Sequence, residues 1–246
     1  MAGALYDGIG TNYTRFRGED PCIAAVIHAA LGDAATVVNV GAGAGAYEPR
    51  DREVIAIEPS EVMIAQRPAG AARAVRAAAE ALPLSDGAVD AAMAVLSDHH
   101  WPDRVRGLRE MRRVAARRAV VFQFDPAEFL HSWIVRDYLR GFRPDPFGIE
   151  EIAEHLGATR IEIVPIPHDC RDGFFHAYWR RPRAYLDPAV RQAISIFQLM
   201  PAAEVEEAIA RLRADLESGA WERRNGDLLA LDELDLGYRL LVAEYA

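Results

Sequence analysis

An apolar run, Thr36–Val40, passes straight into a loop with glycine at positions 41, 43 and 45. A second apolar run, 54–57, ends on an acid, Glu58. A strand, a glycine turn, a helix, a second strand and an acid are the layout of a nucleotide pocket at the carboxyl edge of a parallel sheet. Glycines allow the tight turn and let backbone N–H groups approach a ligand that a Cβ would obstruct. The acid can accept both hydroxyls of a ribose. Gly41-x-Gly43-x-x-Ala46 also satisfies a dinucleotide fingerprint. The loop therefore says nucleoside cofactor without saying which one.

The remaining pattern extends the same architecture. Strand-like runs recur at 36–40, 54–57, about 73–77, 89–95 and 119–124, with helical patterns between them. The runs 89–95 and 119–124 are continuously apolar, as strands buried on both faces are. Apolar residues at 105, 108, 111 and 114 turn the helix over 103–114 toward the sheet. After 124 the rhythm changes to an aromatic, helical segment over 126–141, a helix over 148–156 and a strand over 160–165. Helices near 187–199 and 202–217 follow, and a strand-like alternation closes the chain at 236–245. The expected fold is α/β, a doubly wound, mostly parallel seven-stranded sheet with a helical cap. Residues 1–246 form one domain in this reading, with 1–20 as an N-terminal lid and 126–145 and 166–226 as cap segments over the substrate.

Charge narrows the partners. The net charge is −9, and all 28 cationic residues are arginine. Without a basic run, such a chain is poorly suited to gripping nucleic acid through its phosphates. Arg104, Arg106, Arg109, Arg112, Arg113, Arg117 and Arg118 read as the solvated face of one helical stretch. Two cysteines, Cys22 and Cys170, without a CxxC spacing predict neither a disulfide framework nor a structural zinc site. No segment approaches ~20 uninterrupted apolar residues, and no signal segment opens the chain. The expectation is a cytoplasmic monomer or homodimer acting on a small molecule, with no membrane partner.

Several strings together carry a resemblance: VVNVGAGAG (37–45), IEPS (57–60) with Met63, AEALP (79–83), LSDHHW (96–101), and REMRRV (109–114) followed by AVVF (119–122). The N-terminal pattern Tyr6-Asp-Gly-Ile-Gly-x-x-Tyr13-x-x-x-Arg17 matches a segment that folds over bound cofactor in such enzymes. On these residues the chain resembles the class I S-adenosylmethionine-dependent methyltransferases, close to the small-molecule group similar to the ubiquinone and menaquinone methylases. The resemblance covers residue 6 to about 125. It implies S-adenosyl-L-methionine as cofactor and S-adenosyl-L-homocysteine as product. By resemblance, Gly41, Ala42, Gly43 and Gly45 line the methionine and ribose portion, and Glu58 takes the ribose hydroxyls. Pro59 and Met63 flank adenine, and Ala79 and Glu80 read its edge. Leu96 offers a backbone carbonyl to the methionine ammonium, and Tyr13 and Arg17 close the lid. Asn39 stands where the family usually has an acid, so the attraction to the ammonium is lost.

Beyond the resemblance, His99 and His100 either line the cleft or accept a proton from the substrate, having roughly the right basicity near pH 7. As neighbours on an extended segment they point opposite ways, and no metal site is expected. The aromatics of 129–138 and 174–185, Trp133 and Tyr138 among them, either pack or form a substrate cage. Asp169 either orients a substrate amine or caps a loop. Two other functions share the glycine loop: an NAD-dependent oxidoreductase, and a protein of the same fold that binds the cofactor without methylating.

Overall fold

The computed structural model describes residues 13–245, with Tyr13 and Thr14 described by backbone alone. Its centre is a seven-stranded sheet of β1 (Thr36–Val40), β2 (Glu53–Ile57), β3 (Arg73–Val75), β4 (Val89–Val95), β5 (Ala115–Phe124), β6 (Arg160–Ile163) and β9 (Tyr238–Glu244). A second, two-stranded sheet pairs β7 (Ile166–Pro167) with β8 (Glu233–Leu234). The order is β3-β2-β1-β4-β5-β9-β6. The first five strands run parallel, and β9 is antiparallel to both β5 and β6.

The chain winds outward from β1 to β3, crossing from β1 to β2 by turns alone over 41–52 where a helix was expected, then returns to lay β4 on the other side of β1. The connections after β1 and β4 therefore diverge and leave a crevice at the carboxyl ends of these two strands. Strand alternation divides the core. Val37, Ala91, Met93, Val120 and Phe122 pack on one face with helix α1 (Pro21–Ala30). Val38, Val40, Ala92, Ala94, Ala119 and Val121 pack on the other with α2 (Arg104–Val114) and α3 (Ile149–Leu156). Helix α1 begins where sequence chemistry places it: Asp20 accepts from the N–H groups of Cys22 and Ile23, with Pro21 in the first turn.

The α1-side core continues without a break into a helical layer containing α4 (Ala202–Glu217). There Trp133, Trp179, Tyr185 and Trp221 are buried. The segment expected as one helix over 126–141 stops after Phe129, because His131 and Ser132 close back on Glu128 and Phe129. A separate π-helical turn follows at Ile134–Tyr138. Ser132 bonding to a nearby carbonyl competes with the helical ladder.

The arginine stretch also differs from its expected form. Arg117 and Arg118 lie on β5, pairing with Asp33 and with the Ala30 carbonyl. Arg104 is buried, with its guanidinium on Asp98. Among the described residues, no helix is long and apolar enough to cross a membrane.

Candidate active site

The crevice at the ends of β1 and β4 holds a cavity of about 1050 Å³. Gly41 leaves β1 in the left-handed region, at φ 71°, and a Cβ there would lie 2.6 Å from that of Ser97. Ser97 in turn donates to the Val40 carbonyl at 2.9 Å. Glycine is thus what lets the ends of β1 and β4 close on each other. The N–H groups of Gly41 and Ala42 both return to the Ile57 carbonyl, which pins the loop beside the tip of β2.

At that tip Glu58 is buried, with one carboxylate oxygen accepting from Gly43 N–H at 2.8 Å and the other from Ser60 N–H at 2.9 Å. The carboxylate is therefore held in place by backbone before any ligand arrives. Asn39 donates to Glu48 at 3.2 Å, and Glu48 is itself gripped by Arg67 at 2.6 Å, all three side chains being buried. At the outgoing end of β4, Leu96 adopts φ 49°, an uncommon backbone for a branched residue.

Asn39, Gly41, Ala42, Gly43, Glu58, Pro59, Met63, Ala79, Glu80, Leu96 and Arg17 all line this cavity. Gly45 does not. It is glycine because the turn needs φ 94° and because an added Cβ would lie 3.2 Å from Arg67 and 3.3 Å from Glu48. Glu80 lines the cavity while also accepting from Asp103 N–H at 3.0 Å. The side chain of Tyr13 and the pattern from Tyr6 lie outside the described residues.

A second cavity, of about 500 Å³, is lined by Phe124, Phe129, Phe174, Phe175 and Tyr238, with His99 and Gln123 among its polar groups. Arg17, Leu96 and His100 line both cavities. His99 and His100 do not point apart. Asp98–His100 is a 3-10 turn, not an extended segment, and the two rings lie 3.9 Å from each other. Nor do they have the basicity of free imidazole. Burial, followed by the charges of Arg104 and Arg17, pushes His99 down to about 3. Burial and the neighbouring His99 push His100 well below the ordinary value as well. Both rings are neutral near pH 7 and weak as proton acceptors.

The other expected substrate contacts lie elsewhere. Trp133 is buried in the helical layer, donating to the Trp179 carbonyl at 2.8 Å. Tyr138 donates to Asp215 at 2.8 Å and accepts from Arg224. Asp169 is exposed on a turn. The acid that reaches the site is Asp172, three residues on, which lines the larger cavity and pairs with Arg17 at 2.6 Å. Sequence reasoning also missed Gln123, whose signal was an amide inside the otherwise apolar run 119–124.

A family model described as a methyltransferase domain matches residues 38–122. A solved structure described as a methyltransferase from an antibiotic biosynthesis pathway of Anabaena variabilis is 31% identical, with a TM-score of 0.82. The match covers 94% of this chain and 99% of that one. The chain belongs to the class I S-adenosylmethionine-dependent methyltransferases. No curated protein matches the sequence.

The methyltransferase also resembles in fold the [4+2]-cyclase SpnF, at 19% identity and TM-score 0.54, over 98% of this chain and 94% of that one. Geranyl diphosphate C-methyltransferase from Streptomyces coelicolor A3(2) is similar at 16% identity and TM-score 0.51, over 91% and 77%. Architecture alone does not name a reaction, but the cradle fits the family's cofactor. It offers a glycine wall without Cβ atoms, a carboxylate aimed by backbone, and room for a nucleoside with an amino-acid tail.

Proposed function

We propose that the methyltransferase moves a methyl group to O, N or C of a small molecule whose apolar body occupies the 500 Å³ cavity. The observation that carries this reading is the shared lining: Arg17, Leu96 and His100 belong to both cavities, so the two ligands meet at those residues. Glu58 holds the ribose hydroxyls, Pro59 and Met63 flank the adenine, and Ala79 and Glu80 lie along its edge. Gly41, Ala42 and Gly43 present backbone, while Asn39 and Leu96 face the methionine end. S-adenosylmethionine supplies an electrophilic methyl carbon on a charged sulfur. The chain's own contribution is mainly to hold the acceptor in line and at close range, against the aromatic side chains of the smaller cavity.

Residues 126–145 and 166–226 act as the substrate cap of a single domain, and residues 1–20 act as its lid. Action on a free cytoplasmic metabolite belongs to the same proposal, supported by the acidic net charge of −9. The test has two arms. S-adenosylhomocysteine should raise the melting temperature with concentration, as mass action requires, and NAD should not. With methyl-labelled donor and a metabolite extract, label should appear in the small-molecule fraction. Label on nucleic acid or protein instead would overturn the proposal.

A further inference from the structure

Gln123 lies within β5 at 1% exposure, and every group of its amide is engaged. Oε1 accepts from Phe124 N–H at 2.8 Å. Nε2 donates to Asp98 Oδ1 and lies 2.9 Å from His99 Nδ1. The other oxygen of Asp98, itself fully buried, is held by Arg104 at 2.6 Å. Turning the amide over would set oxygen against carboxylate and NH₂ against the Phe124 N–H. Two anchors therefore fix the nitrogen toward His99.

An NH₂ facing a ring nitrogen requires that nitrogen to accept, and a neutral imidazole accepting at Nδ1 carries its proton on Nε2. Nε2 lies across the ring from Gln123. Among the described residues no hydrogen bond ties it, and the ring lines the 500 Å³ cavity.

Resting on the methyltransferase reading above, we infer that His99 is a hydrogen-bond donor to the acceptor substrate and not its base. Gln123 holds it as the Nε2–H tautomer for a substrate with a carbonyl or oxyanion oxygen on an apolar ring body. His99 has no free lone pair for a substrate proton, because its Nδ1 is occupied and its Nε2 is already protonated. A substrate that enters as its enolate or phenolate, the proton already given up to water, needs none removed and is steadied by the Nε2–H. The lowering of the His99 pKa to about 3 keeps the ring neutral and preserves this tautomer. His99 would touch substrate, and Gln123 acts as its positioning residue.

Long-range proton–nitrogen spectra of ring-labelled histidine, with and without S-adenosylhomocysteine, read the tautomer directly. His99→Phe assigns the signal, and His99→Asn assigns it should the first variant fold poorly. The expected result is the Nε2–H pattern, unchanged from pH 5 to 8 and giving way to mixed tautomers in Gln123→Leu. An Nδ1–H pattern, or a ring titrating in that interval, would overturn the inference.

Binding supplies the second readout. 2-Acetylnaphthalene should bind the S-adenosylhomocysteine-loaded protein about 3- to 10-fold more tightly than 2-ethylnaphthalene, the range of one hydrogen bond. His99→Phe should erase that difference. Equal binding to the unaltered protein would also overturn the inference. Should S-adenosylhomocysteine fail to bind at all, the cofactor reading falls, while the spectrum of the unloaded protein still decides the tautomer.

Discussion

Arg17 Nε lies 2.6 Å from Asp172 Oδ1, joining the stretch ahead of α1 to the loop that leads into the helical layer. Tyr47 donates to the other Asp172 oxygen at 3.0 Å, and Gly173 N–H donates to the Phe16 carbonyl at 2.9 Å. Asp172→Ala would leave a guanidinium with 12% exposure facing both cavities without this carboxylate. Breaking a buried pair from one side costs about 3–5 kcal/mol. Urea unfolding should show a loss of that size, and a loss under about 1 kcal/mol would mean that the clasp contributes little.

Glu58→Gln tests the carboxylate held at the tip of β2. Gln has one acceptor oxygen, so its NH₂ must face the N–H of either Gly43 or Ser60. The charged acceptor for the ribose is lost at the same time. At about 1.5–3 kcal/mol for hydrogen bonds to a charged group, calorimetry should show S-adenosylhomocysteine binding weakened about 10- to 100-fold. Unchanged affinity would remove Glu58 from the proposed role.

Asn39 departs from the family's usual acid, and the structure gives a reason. Glu48 already places a carboxylate oxygen 3.2 Å from the amide nitrogen. Asn39→Asp would set two buried carboxylates side by side, with the one guanidinium, Arg67, already engaged on Glu48. Thermal melting should therefore show Asn39→Asp less stable than the parent. The double variant Asn39→Asp, Glu48→Gln should recover most of the loss and bind the methionine ammonium more tightly. A double variant no better than the single one would sink this account.

Acid should destabilise the protein well before its carboxylates titrate. His176 is buried against Phe129, with Nε2 2.8 Å from Ser132 Oγ, and Ser132 donates to the Phe129 carbonyl. Ser132 Oγ is thus the acceptor and Nε2 carries the proton, while buried Nδ1 has no partner among the described residues. Burial pushes the ring down to about 3 from an ordinary 6.5. Between those values the unfolded chain holds more protons, so stability is full above 6.5 and falls as pH drops toward 3. The slope per such histidine is up to about 1.4 kcal/mol per pH unit, and His99 and His100 add to it. Melts from pH 7 to 5 should decline, less steeply in His176→Phe. A parallel decline in that variant would assign the effect elsewhere.

Residues that act through local backbone chemistry were legible in the sequence. The glycine loop, Glu58 and the apolar runs of β4 and β5 declare themselves by spacing and period, and with them the sheet and its nucleoside edge. Residues whose role depends on distant partners were not. Trp133 and Asp169 looked like site residues because aromatics and acids cluster near them, yet tertiary packing gives Trp133 to the core and brings Asp172 to Arg17 across 155 positions. The His99–His100 pair was misread for a local reason: the Asp98–His100 turn replaced the extended geometry that would have pointed the rings apart.

The two cavities are written in different parts of the chain. Apart from Arg17 and Asp172, the larger one is lined entirely from 39–102, whereas most of the smaller one comes from residue 123 onward. On the function proposed above, donor and acceptor recognition can therefore be inherited separately. A lineage can exchange the material after β5 for a new acceptor while its methyl donor stays the same, provided the guanidinium at 17 still finds a carboxylate on the incoming loop.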